Sequence, residues 1–418
     1  MSGLLKHWTV AGLSVVAVGY VACLPAFAVT VGPVTDDYGV VKIANGEPIQ
    51  IGSFLALTGA DAALGIDAKR GVEIALDERG GRLDGHPIKI EFEDEGCSAE
   101  GGQTAASRLA SNSALVGVLG SSCSSAALAG VPILWNAKIP AVGVGPTSPA
   151  LTVPTRGPNF DGFVRVSFND VATGAFVAKY VVEALKAKTA ATVHDGSSYA
   201  EQVVRVFEEN FKQHGGSITA SEAISPTDTD MRPMLTRVAI NRPDVLFMPL
   251  YVAAGAYMVR QQPEVRGLEK TILVATDPIM APGFLSAAGK AAIGVQMVGI
   301  DFRPETLGPA YQRFVETYKK RNGEAPIAGF HAYGYDATGV LLAAIHKVAA
   351  QDANGNMYVG KKALRDALYA TKDYDGITGK LTCNQYGDCA SPTYAVWQYT
   401  SEDPNSYSLG SNPKRIYP

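Results

Sequence analysis

Short apolar runs recur along this chain, each closed by glycine, serine or threonine and followed by a helical pattern. That alternation constrains the fold more than any other feature, because repeated strand–helix units lay their strands side by side in parallel. The run Leu115-Val116-Gly117-Val118-Leu119 reads as a buried strand ended by Gly120. Ser121, Ser122, Ser124 and Ser125 follow around Cys123, and then a helical segment of small residues. A second short strand over 139–144 leads into Gly145-Pro146-Thr147. Two strand ends, each followed by hydroxyls and small residues, suit a place where N–H groups and hydroxyls grip an anion.

The same alternation organises the rest. Ile49, Ile51, Phe54, Leu55 and Leu57 form a first strand, and Ala68, Gly71, Val72, Ala75 and Leu76 mark one face of the next helix, with Gly80-Gly81 as its C-cap. Further strands are expected near 88–92, 162–166, 190–194, 244–250, 271–275 and 295–301. Helices are expected near 103–111, from Asp170 as N-cap to Lys186, from Tyr199, from Asp230 as cap to Ile240, and over 309–322, 332–349 and 361–370. The tail from Ile377 turns to hairpin-like β structure, and residues 29–46 read as a lead-in draped over the surface. Ligands of parallel sheets sit at the carboxyl ends of strands. Ser124, Thr147, Tyr199, Tyr251 and Asp277 each follow a predicted strand.

With 418 residues, 47% of them hydrophobic, the chain can bury a large core and is expected to divide into two lobes. A net charge of -4 without a long basic run argues against nucleic acid and against an electrostatically held membrane surface. Lys6 and His7 precede an apolar stretch from Trp8 to Pro25, and Ala26-Phe27-Ala28 has the small-x-small pattern of a cleavage site. Gly12, Gly19 and Pro25 weaken a permanent anchor, and lipidation at Cys23 lacks the usual leucine three residues ahead. Export with cleavage after Ala28 is therefore expected.

Four cysteines remain beyond the leader, and an even number in an exported chain points to two disulfides with three formal connectivities. Cys383 and Cys389 suit a staple around Tyr386-Gly387-Asp388, which leaves Cys97 for Cys123. Neither pair has CxxC spacing or a histidine nearby, which argues against zinc. The histidines show no HExxH or similar spacing, so no metal is expected. Gly143-Val144-Gly145-Pro146 breaks a GxGxxG pattern and no phosphate loop is present, so no nucleotide cofactor is expected.

The order of these features resembles the type I periplasmic solute-binding proteins, in the leucine/isoleucine/valine-binding branch that serves ABC importers. The resemblance lies in IQIGSFLALTGADAALG at 49–65, EDEGCSAEGGQTA around Cys97, the CSS of Cys123-Ser124-Ser125, GPTSPALT at 145–152, HDGSSYAEQ with Tyr199, and the helix after His331. It implies an α/β fold of two Rossmann-like lobes with parallel sheets, three hinge crossings and a ligand in the cleft between the lobes. The expected division is a leader at 1–28, a lead-in at 29–47, lobe one over 48–166 plus 298–372, and lobe two over 167–297 plus 373–418.

The resemblance further implies that hydroxyls and N–H groups at Ser124, Gly145 and Thr147 hold an α-carboxylate and part of an ammonium group. Tyr199, Tyr251 and Asp277 would come from lobe two, Asp277 taking the ammonium, with Phe330 or Tyr333 along the ligand. It also implies the Cys97–Cys123 pairing. Two departures bear on ligand identity. Leu64 stands where amino-acid binders often carry a bulky aromatic, and Asp277 is one methylene shorter than the glutamate of the leucine-type proteins.

The expectation is thus a monomeric periplasmic receptor, without enzymatic activity, that passes an apolar or branched-chain amino acid to a membrane permease. Three other readings were weighed. They are a binder of an aromatic or aliphatic carboxylate or amide, a periplasmic sensor, and a serine hydrolase built on Ser124. The last lacks a GxSxG elbow and a convincing base. Locally, Ser124 could also serve as an N-cap, and Asp277 before Pro278 as a turn residue.

Overall fold

A computed structural model describes residues 28–418. The leader and the alternative at Cys23 fall on residues 1–27, outside the described residues. Ile49, Ile51, Phe54 and Leu55 are fully buried, and their strand, Ile49–Leu55, lies inside a six-stranded sheet. It pairs in parallel with His86–Asp94 on one side and Leu115–Gly120 on the other, placing Ile51 beside Ile90 and Gly117. Ala141–Gly143 and Phe163–Arg165 continue the sheet in parallel, while Arg82–Leu83 adds a short antiparallel edge. Such unbroken apolar strands require cover on both faces. Leu64, Val72, Tyr333 and Leu341 supply it on one face, and Ala105, Leu109, Ala127 and Val131 on the other.

Close helix packing sets where the His331–Val348 helix begins. A Cβ on Gly71 would lie 1.9 Å from the His331 carbonyl oxygen, and one on Gly334 would lie 2.1 Å from that of Ala68. Buried Asp67 then fixes the approach to this helix. It accepts from the N–H groups of Phe330 (2.9 Å) and His331 (2.7 Å) and from the Tyr318 hydroxyl (2.7 Å).

The second sheet has seven strands. Ser217–Ala223, Thr189–His194, Val245–Phe247, Ile272–Thr276 and Gln296–Ile300 run parallel, and Tyr394–Gln398 and Lys414–Tyr417 close it antiparallel. The edge strand Ser217–Ala223 is an addition to the expected strands, because it is half exposed and has no apolar run. The chain passes between the sheets between Arg165 and Asp170, between Ile300 and Pro304, and between Leu381 and Tyr394.

Several expectations shift. The division at 297/298 cuts through Gln296–Ile300, which belongs whole to the second sheet. The hairpin of Tyr374–Gly376 with Gly379–Leu381 packs on the first core, through Leu381, and not with lobe two. The lead-in is part of the fold. Val40–Ile43 pairs with Met357–Gly360, burying Val41 and Ile43, and Asp36 accepts from the N–H groups of Lys362 and Ala363. Asn169, one residue earlier than expected, caps the Asp170–Glu183 helix by accepting from the Val171 N–H. Met231 is the N-cap of Arg232–Ala239, with Asp230 one residue outside.

Candidate functional site

The ends of both parallel sheets face one another across a narrow cavity. Ser124, Gly145 and Thr147 line it from the first lobe, Tyr199, Tyr251 and Asp277 from the second, and Phe330 closes one side. All seven residues singled out in the sequence therefore meet in one place. Ser122, Phe168 and Pro278 complete the lining. The free volume of the cavity is about 10 Å³, room for about one water, so the side chains of the two lobes nearly fill it in this arrangement. The lobes touch here, with the Ser198 N–H donating to Ser125 Oγ at 3.1 Å.

Hydrogen-bond directions assign a polarity to the first lobe. Ser124 opens the Ser124–Asn136 helix, but Cys123 is its N-cap and Ser124 does not cap it. Its Oγ instead accepts from the N–H groups of Thr147 (3.1 Å) and Ser148 (3.0 Å), so its own proton is left to donate. Thr147 Oγ1 donates to Asp170 Oδ2 at 2.6 Å, so its lone pairs are left to accept. The expectation that N–H groups of Gly145 and Thr147 grip an anion needs correction, because the Gly145 N–H donates to the Ser121 carbonyl at 2.9 Å and that of Thr147 to Ser124 Oγ. Those of Ser122 and Cys123 go to Glu95 Oε1, both at 2.9 Å. The donors left are those of the first helical turn, which have no partner within the helix.

Among the lining residues Asp277 is the acid, and Asp170 is bonded to the lining residue Thr147. Asp170 is fully buried at the start of its helix, and its Oδ1 has no partner. Burial, above all, pushes its pKa up to about 7, with partial relief from the Thr147 hydroxyl and the charge of Arg165. Asp277 is likewise raised to about 7, by burial and then by Asp170, although part of its surface stays open to the cleft. Burial and the charge of Asp277 push the Tyr199 phenol up, and its hydroxyl bonds Thr276 Oγ1 at 2.6 Å. Tyr251 packs against Tyr199 with ring centroids 5.6 Å apart. Burial raises its phenol, as do the charges of Asp195 and Asp61. Buried Glu95, raised well above the usual carboxyl range by desolvation, has an unpartnered Oε2.

One wall thus offers a hydroxyl proton and free helix N–H groups to an anion, and the other offers the Asp277 carboxyl to a cation. A model of the periplasmic binding proteins matches residues 48–402. The chain belongs to that family. Among curated relatives, the Leu/Ile/Val-binding protein BraC3 of Rhizobium johnstonii is 27% identical over 359 residues, covering 84% of this chain and 91% of that protein. Among solved structures, the leucine-binding protein LivK of Thermotoga maritima superposes with a TM-score of 0.76 at 25% identity, covering 85% of this chain and 96% of that one. A solute-binding protein of an ABC transporter from Rhodopseudomonas palustris, in complex with 3,4-dihydroxybenzoic acid, gives 0.70 at 21% identity over 84% and 93% of the two chains.

Two disulfides join the expected cysteines of this family member, Cys97–Cys123 and Cys383–Cys389. The first ties the loop before the Ser124 helix to the end of the His86–Asp94 strand, and the second sits beside the first crossing. There the Arg165 N–H donates to the Gly387 carbonyl and the buried Arg165 guanidinium pairs with Asp388 at 2.6 Å. Leu64 is buried in the first core and does not line the cavity. Phe330 does, its ring held over Gly145, while Tyr333 lies behind it in the core. Among the described residues no group of three or more His, Cys, Asp or Glu side chains could hold a metal ion.

Asp170 and Glu95 are the acids that sequence reading missed. Asp170 follows Asn169, and both can cap a helix, yet only one can occupy the position. The redundancy was the available signal. Glu95 had none, because its role depends on a contact across 27 residues with Ser122.

Proposed function

We propose that this chain is the substrate-binding component of an ABC importer and that it holds a free amino acid in the cavity between its lobes. One observation carries this reading: Ser124, with its hydroxyl proton left to donate, lines the cavity from one lobe, while Asp277 lines it from the other and Asp170, whose Oδ1 has no partner, is bonded to Thr147. The ligand carboxylate takes the Ser124 hydroxyl and the helix N–H groups, where the N-terminal dipole adds favourable charge. Its ammonium group takes Thr147 Oγ1, Asp277 and the free Oδ1 of Asp170. Charge-assisted bonds at both ends set specificity against uncharged analogues. The names of the relatives, Leu/Ile/Val-binding and leucine-binding, favour an apolar amino acid.

Closure brings the lobes together about the crossings near 166–169, 301–303 and 382–393, and the Ser198–Ser125 bond supports a closed arrangement here. The chain works as a monomer in the periplasm after losing its leader and delivers its ligand to a membrane permease. A sensor docking on a membrane receptor would use the same cleft. No chemistry is assigned to Ser124, since its oxygen accepts from two N–H groups and none of its bonds reaches a base.

A second reading has one observation in its favour. With pKa values near 7, Asp170 and Asp277 in protonated form would donate to an aromatic carboxylate, the class bound by the Rhodopseudomonas relative. Calorimetry with leucine, N-acetyl-leucine, leucinamide and benzoate separates the two. Leucine alone binds under the first reading; binding of benzoate without leucine would replace it with the second.

A further inference from the structure

A larger cavity adjoins the first. Its free volume is about 320 Å³, and Asp277 belongs to the walls of both. Phe330 lines the small cavity, while its chain neighbours Gly329 and His331 line the large one. The partition between them is thus one carboxylate and one aromatic segment. Both lobes contribute to the larger space, with Met280 and Leu409 from the second, and Phe302, Tyr311 and Val315 from the first.

Two of its phenol tips are already occupied within the protein. The Tyr311 hydroxyl bonds His331 Nε2 at 2.9 Å, and the Tyr407 hydroxyl donates to the Met280 carbonyl at 2.7 Å. What remains toward the space is mostly ring face and aliphatic surface, with Phe302 and Tyr311 stacked at 6.0 Å, beside a polar edge at Lys319, Ser408 and Asp277. The first cavity differs in kind, since its polar groups converge and much of its space lies in crevices between side chains. A site divided this way pairs a polar part, drawn down here to about 10 Å³ of free space, with a mostly apolar part that has room for a long side chain.

We propose that the large cavity is the side-chain subsite of the same ligand, entered past Asp277 and Phe330, and that it selects amino acids with an aromatic side chain of phenylalanine size. This rests on the amino-acid reading of the polar cavity. Because ligand atoms in the subsite touch both lobes, the same contacts favour closure. A side chain as short as that of leucine ends at the partition, so filling the subsite leaves its binding unaffected.

The test is calorimetry of the mature full-length protein with phenylalanine and leucine, for wild type, Val315→Trp and Leu409→Trp. Val315 is on the helix Pro309–Asn322 and Leu409 on the C-terminal loop, so the two variants fill the subsite from opposite lobes. Wild type is expected to bind phenylalanine at least as tightly as leucine. Each tryptophan should weaken phenylalanine at least tenfold and leucine less than threefold, with thermal unfolding of the unliganded protein retained. If Val315→Trp does not fold, Leu409→Trp carries the test. Leucine binding without phenylalanine binding, or equal losses for the two, overturns the subsite and leaves the amino-acid reading standing. Binding of neither amino acid overturns both.

Discussion

Raising the pH from 5 to 7 should tighten amino-acid binding while weakening the unliganded fold, and Asp170 is the origin of both effects. Its carboxyl is fully buried and its pKa is about 7, against 3.8 in the unfolded chain. An acid shifted upward by folding contributes its full stability below 3.8 and loses it as pH rises toward 7, because the unfolded chain ionises first. Two pH units at about 1.4 kcal/mol each give a loss of about 3 kcal/mol between pH 5 and 7. Asp277, coupled to Asp170, and Asp61, raised to about 6 by burial and Asp195, act in the same direction. Asp94, Asp244 and Asp301 are shifted downward, so their losses fall below pH 4, outside this window.

An ammonium group seated between Asp170 and Asp277 favours their ionised forms. Binding below pH 7 then releases a proton, and affinity rises about tenfold per pH unit for each carboxyl that must ionise, or about 100-fold from pH 5 to 7 for one. Arg165 also faces Asp170, but its charge is engaged by Asp388. Calorimetry of leucine binding in buffers of different ionisation enthalpy reads both the slope and the proton release. Asp170→Asn should reduce both, leaving the part that Asp277 contributes. An affinity that is level or falls from pH 5 to 7, with no proton released, refutes the assignment of the acids to an ammonium group. A falling affinity is the sign expected for an aromatic carboxylate.

Ser124→Ala leaves the N–H groups of Thr147 and Ser148 unpartnered in the interior, at about 1–3 kcal/mol each. It should therefore lower the melting temperature as well as weaken leucine binding at least tenfold; an unchanged melting temperature would contradict the bonding described. A Cβ at Gly145 would lie 2.4 Å from the Ser122 carbonyl oxygen and 2.6 Å from the Phe330 ring, so Gly145→Ala should weaken leucine binding at least tenfold by calorimetry. Replacing Cys97 and Cys123 with serine opens a link spanning 26 residues and should cost about 3.5 kcal/mol in denaturant unfolding by the loop-entropy relation.

The fold was legible because its parallel strands are buried on both faces and read as unbroken apolar runs, as Leu115–Gly120 does. The strand Ser217–Ala223 escaped because an edge strand alternates exposed and half-buried positions without an apolar run. The lead-in escaped because its burial depends on a partner more than 300 residues away, Val41 lying opposite Val359. At the site, hydroxyls and aromatics after strand ends were readable from position alone. Their hydrogen-bond directions were not, since Ser124 is defined as a donor only by the two N–H groups that reach it from the Thr147 loop. Nor were the raised pKa values of Asp170 and Asp277, which arise from burial.

The pairing of an anion end with a cation end is tested most directly by titrating the mature protein with leucine beside N-acetyl-leucine and leucinamide at pH 7. Removing either charge leaves Asp170 and Asp277, or the Ser124 end, without its partner. The expected result is saturable one-to-one binding of leucine and at least 100-fold weaker binding of both derivatives. Binding of either derivative within tenfold of leucine would contradict the account.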